Sequence, residues 1–143
     1  MGRNKRNRST LVIMNYQLRI ARPVLDLTRA TEVYCRGLDL LVLDRFEDHQ
    51  GFDGVMLGGP GLAYHLELTR HRSHPILPAP TPEDLLVFYI PDPSDWMNRC
   101  RQMTGAGFQQ VNSFNPYWDV RGKTFADPDG YRLVLENDAW LQG

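Results

Sequence analysis

Asp127-Pro128-Asp129-Gly130-Tyr131-Arg132-Leu133-Val134-Leu135-Glu136 joins a tight turn to a strand. Aspartate, proline and glycine each favour a turn for a separate reason, and the apolar run after them is extended. Working outward, Lys123–Ala126 supplies the strand before the turn and Phe108–Val111 another before that. Trp96, Cys100 and Met103 form a helical stripe that Gly105-Ala106-Gly107 ends. Pro91-Asp92-Pro93 separates this helix from Leu85–Ile90 (LLVFYI), a buried strand. Residues 85–138 therefore read strand, helix, three strands.

The same order stands earlier in the chain. Tyr16–Val24 is a strand, and Asp26 caps a helix whose stripe is Leu27, Ala30, Tyr34 and Leu38, with Gly37 as its stop. Leu40–Phe46 is a strand, Glu47–Asp53 a turn-rich connection and Gly54–Leu57 a short strand. Gly58-Gly59-Pro60-Gly61 is a turn, and Ala63–Thr69 alternates as a fourth strand. Cys35-Arg36 and Cys100-Arg101 occupy matching places in the two helices. Pro75, Pro78, Pro80 and Pro82 exclude helix and central strand between the two patterns. The expected organisation is a basic tail (1–15), a first βαβββ module (16–70), a proline-rich linker (71–84) and a second module (85–138), together one compact α+β domain. One helix cannot cover both faces of a four-stranded sheet, so the modules must bury apolar surface against each other or a partner.

Composition excludes several classes. Apolar residues make up 42% and charged residues 23%, ordinary for a globular protein. The formal net charge of −1 gives no field that would draw the whole chain to nucleic acid or membrane. Arg3, Lys5, Arg6 and Arg8 crowd the first ten residues and are read as a solvated terminus rather than a nucleic-acid arm. Leu11-Val12-Ile13-Met14 is too short for a signal-peptide core, and no apolar run reaches membrane-spanning length. Two cysteines make no disulfide framework, which fits a cytoplasmic protein.

The doubled βαβββ pattern resembles the vicinal oxygen chelate superfamily of glyoxalases, bleomycin resistance proteins and extradiol dioxygenases. The resemblance rests on Val24-Leu25-Asp26-Leu27, Val33-Tyr34, Gly37-Leu38, Leu66-Glu67-Leu68-Thr69 and above all Asp127-Pro128-Asp129-Gly130-Tyr131. It implies two cupped mixed sheets, a homodimer and, in the family, a divalent metal held inside a cup. The implied ligand positions fall on Arg19, Glu67, Leu85 or Leu86, and Val134. Only Glu67 can donate a lone pair, because guanidinium and aliphatic groups have none to give. The expectation is therefore no metal cofactor. The alternative is Zn, Fe or Ni at a non-standard site built from His65, Glu67 and Glu136, with His49.

Strand alternation gives the cup its other residues. His65 accompanies Glu67, Arg132 and Glu136 accompany Val134, and Tyr89 shares a face with Leu85. His65 and Glu67 are the candidate catalytic acid–base pair. Arg19, Tyr89, Trp118, Arg132 and Glu136 are the candidate ligand-binding residues. Arg19 and Glu67 read either as an anion clamp or as an internal ion pair. Phe114, Tyr117 and Trp118 read as a wall for an aromatic ligand, as a plug over the sheet edge or as a dimer contact. His71 and His74 have ligand-like spacing but lie in a solvated loop. Two functions stand out: a small-molecule binder of the bleomycin-resistance type working without metal, and a lyase, isomerase or dioxygenase relative using a rearranged site.

Overall fold

The computed structural model describes residues 16–140. The basic stretch 1–15 lies outside the described residues. β1 (Leu18–Pro23), α1 (Leu27–Leu38), β2 (Leu41–His49), β3 (Phe52–Gly58) and β4 (Tyr64–His71) form the first unit. β5 (Leu85–Tyr89), α2 (Pro93–Ala106), β6 (Gln109–Val111), a short α3 (Tyr117–Val120), β7 (Gly122–Ala126) and β8 (Arg132–Glu136) form the second. The sheets run β1-β4-β3-β2 and β5-β8-β7-β6. In each, the outer pair β1/β4 or β5/β8 is parallel and the others antiparallel, so both sheets are mixed.

The local rules that form these elements are visible in their ends. Asp26 accepts from the Arg29 amide at 3.0 Å and Asp92 from the Asp95 amide at 2.8 Å, satisfying one orphan donor of each helix. Pro93 stands in the first turn of α2, where its missing N–H costs nothing. Gly107 ends α2 in the left-handed conformation. Three expectations need correcting. Gly37 does not stop α1: it lies inside the last turn, and Asp39 makes the left-handed cap. Residues 47–53 are mostly strand, since β2 continues to His49 and Asp48, Gln50 and Gly51 take the positive φ values that fold the hairpin tightly. The Phe114–Trp118 stretch contains a short helix that strand patterning does not reveal.

One core joins both units. Val55, Leu57, Leu66 and Leu68 face Ala30, Val33 and Tyr34 of α1, while Phe125, Leu133 and Leu135 face Cys100 and Met103 of α2. The helices pack on each other, with the Tyr34 and Phe108 rings edge to face at 5.2 Å. Among the described residues no helix is long and apolar enough to cross a membrane. Each sheet thus turns one face to the helices and leaves the other for chemistry.

Candidate functional site

On β4, Leu66 and Leu68 are buried against α1, so alternation turns His65 and Glu67 to the opposite face. β1 runs parallel beside it, with Arg19 opposite His65 and Ala21 opposite Glu67. The Arg19 guanidinium reaches across this face. Its Nε donates to His65 Nε2 at 2.9 Å, Nη1 stands 3.5 Å from Glu67 Oε1, and Nη2 donates to the Met56 sulfur at 3.6 Å. The sequence did not single out Met56, yet it pairs with Glu67 in the β3–β4 register and faces the same way. Leu43 lies against Gly58 and the Phe46 ring over Gly54, which supplies an apolar flank. The Arg19 side chain remains 47% exposed and Glu67 17%, so the arginine presents its remaining N–H groups to solvent while its carboxylate partner sits deeper.

The hydrogen bond from Arg19 fixes the chemistry of His65. Nε2 accepts from the guanidinium through its lone pair. That lone pair is occupied, which removes it from acid–base work in this arrangement.

The other candidates gather on the second sheet. Leu133 and Leu135 point at α2, leaving Arg132, Val134 and Glu136 on the far face with Leu85, Val87 and Tyr89 of β5. Glu136 sits opposite Tyr89 and opposite Gly122. This face is covered: α3 packs on β7, and Val134, Thr124 and Glu136 are buried. Arg132 is spent on architecture, donating to the Asn112 carbonyl at 3.2 Å and so tying down the covering segment. Trp118 is half-buried in that segment. Tyr89 is partly exposed, its ring 5.8 Å from Trp140. Among the described residues, no hydrogen bond or ion pair joins the Arg19–His65–Glu67 group to the Tyr89–Arg132–Glu136 group. Thr124 is a further residue of interest. The alternation that selected Glu136 would have selected it too, applied to β7.

Burial, followed by the nearby charge of Asp138, raises the Glu136 carboxyl above its ordinary 4.5, with Arg121 partly opposing. The divalent metal implied by the fold does not fit the residues present. Arg19 puts a cation where a donor is required and Val134 is aliphatic; Leu85 points to the same face without a lone pair. Among the described residues, no three His, Cys, Asp or Glu side chains cluster as a ligand set.

Known proteins share this plan. A YycE-like N-terminal domain matches residues 18–69 and a YycE-like C-terminal domain residues 83–137. The uncharacterized protein YycE of Bacillus subtilis (strain 168) is 41% identical over 127 residues, 89% of this chain and 91% of that protein. The chain belongs to the YycE-like family. The crystal structure of the B. subtilis YycE protein, of unknown function, matches with a TM-score of 0.82 over 89% of this chain and 93% of its own. Beyond the YycE-like family, the trypanothione-dependent glyoxalase I of Leishmania major matches with a TM-score of 0.66 and 21% identity, over 87% of this chain and 88% of its own. The fosfomycin resistance protein FosX of Mesorhizobium loti matches at 0.68 and 14%, over 89% and 94%. These two show the fold alone, and it is the fold shared by glyoxalase I and fosfomycin resistance proteins.

Proposed function

We propose that this YycE-like chain binds a small anionic or hydrogen-bonding molecule on the face carrying Arg19, His65 and Glu67, without a divalent metal. The observation that carries the reading is the Arg19 guanidinium. It is a fixed cation near the start of β1, oriented by His65 and Glu67 and still half-exposed. A guanidinium has five N–H donors, and among the described residues two N–H···acceptor bonds hold it here. The rest suit a carboxylate or phosphate, and Leu43 and Phe46 suit an apolar body beside it. The names of its structural neighbours, a glyoxalase and a fosfomycin resistance protein, fit a small-molecule site. An acid–base enzyme is the second reading, and the engaged Nε2 of His65 weighs against it.

The test is a calorimetric screen of small carboxylates and phosphates against wild type, Arg19→Met and Arg19→Met with Glu67→Leu. A charge-assisted hydrogen bond contributes roughly 1.5–3 kcal/mol, so Arg19→Met should weaken binding by about ten- to a hundredfold. Unchanged affinity in Arg19→Met would overturn the proposal.

Two further proposals accompany it. The chain is a cytoplasmic homodimer: consecutive Leu41, Val42 and Leu43 on β2 are all exposed, an apolar stretch of the kind that subunits cover. Light scattering that gives a monomer mass at every concentration would refute the dimer.

A further inference from the structure

The covered face of the second sheet holds polar groups that the protein itself leaves without partners. Thr124 is 1% exposed and Glu136 4%, yet among the described residues Thr124 Oγ1 and Glu136 Oε1 have no hydrogen-bond partner. The buried Ser113 hydroxyl, in the segment that covers them, has none either. Gly122 and Thr124 are two apart on β7 and share a face, and Glu136 stands opposite Gly122. Three oxygens crowd the place a β-carbon on Gly122 would take: Glu136 Oε1, the Trp118 carbonyl at 2.8 Å and the Leu135 carbonyl at 2.9 Å. The Leu135 carbonyl already accepts from the Trp96 indole. Among the described residues no ion pair holds Glu136; the neighbouring Arg121 pairs with Asp138 at 3.7 Å and opposes the rise of the Glu136 carboxyl only in part. Native proteins rarely tolerate a buried carboxylate oxygen without a donor.

We propose that this face is a second ligand subsite, one that takes a primary ammonium group of a small molecule. Glu136 supplies the counter-charge, and Thr124 Oγ1 and the Trp118 carbonyl supply the remaining acceptors. An ammonium has three N–H donors and no acceptor, which matches three acceptors and one negative charge. Water would satisfy the hydrogen bonds but leave the charge uncompensated. A divalent ion would outweigh a single carboxylate and prefers more oxygen ligands than these. Access is through the segment above. Phe114 is 67% exposed, Tyr117 63% and Val120 79%, so the outer side of this cover faces solvent. The subsite shares with the Arg19 reading only the idea of a small-molecule binder, and it lies on the other sheet.

The experiment uses n-butylammonium, n-butanol, potassium chloride and butyrate as probes of the full chain, followed by thermal shift and calorimetry. Butylammonium should raise the melting temperature saturably, while butanol and potassium chloride at equal concentration should not. Glu136→Gln should weaken butylammonium binding at least tenfold and Thr124→Val at least threefold. A wild-type protein with no saturable response overturns the proposal. So does an equal response to butanol or to potassium, or undiminished binding in Glu136→Gln. If Glu136→Gln fails to fold, undiminished binding in Thr124→Val overturns it alone. Butyrate reports on the Arg19 face: its failure with butylammonium still bound sinks that site and leaves this one, and the converse result does the opposite.

Discussion

The Tyr34 hydroxyl, in the middle of α1, donates to Asp127 Oδ2 at 2.6 Å across the boundary between the two modules. Asp127 opens the turn before β8, and its other oxygen accepts from the Asp129 and Tyr131 amides. The turn makes two more crossings: Asp129 accepts from the Leu25 amide, and the Tyr131 hydroxyl donates to the Pro23 carbonyl. Arg22 lies over the Tyr131 ring at 4.5 Å. A turn that looks local in sequence is therefore the clasp between the halves.

Tyr34→Phe removes the donor and leaves the Asp127 oxygen buried without it. Hydrogen bonds to charged groups contribute about 1.5–3 kcal/mol, and the variant should lose that much. Urea denaturation should show a lower midpoint with an unchanged slope. A loss under ~0.5 kcal/mol would mean the clasp is ornamental.

Two glycines should respond in opposite directions to alanine. A β-carbon on Gly37 would stand 2.6 Å from the Phe108 ring, which is buried and cannot retreat. Overpacking costs about 1–3 kcal/mol and outweighs a helix-propensity gain of at most ~1 kcal/mol. Gly105, also helical, meets nothing within 4 Å, so Gly105→Ala should stabilise by up to ~1 kcal/mol. Melting temperatures moving the same way in both variants would contradict this.

How much of this was legible beforehand differs between fold and site. Both sheets and both long helices follow from period and punctuation, because Leu66/Leu68 and Leu133/Leu135 alternate cleanly and Asp26 and Asp92 cap. The extent of β2 was hidden, since Glu47, Asp48 and His49 read as loop while the strand continues through them to the hairpin. α3 was hidden because four residues carry no period. Alternation brought Arg19, His65 and Glu67 to one face. It could not show that Arg132 would turn to the Asn112 carbonyl, because a long side chain's destination is set by chain remote from it.

The Arg19–Glu67 pair should add little to stability. At 3.5 Å and with the arginine half-exposed, it belongs with surface pairs of about 0.2–1 kcal/mol. A double-mutant cycle with Arg19→Met and Glu67→Leu, read by thermal melts, should give a coupling in that range. A coupling above ~2 kcal/mol, with the double mutant restored to wild-type stability, would make the pair structural.

Glu136 should make stability depend on pH in a direction opposite to a paired carboxylate. Its folded pKa lies above the ordinary 4.5, so its contribution is present below about 4.5 and is lost as pH rises through the folded value. Glu136→Gln cannot ionise and should gain on wild type as pH rises from about 4.5 through the folded value, and hold a constant advantage above it. Parallel melting curves across that range would show the carboxylate already compensated.

The end of α1 is finished by α2. Arg99 donates to the Gly37 carbonyl at 2.9 Å and Gln102 to the Arg36 carbonyl at 2.8 Å, and both also bond Asp39. The last carbonyls of one helix are thus answered by side chains of the other. A first half expressed alone would carry a frayed helix terminus and a bare apolar flank. Cleavage within the proline-bearing segment 72–84 should accordingly leave two fragments that stay together and lose their structure together when parted. The duplication visible in the sequence has become a single cooperative unit.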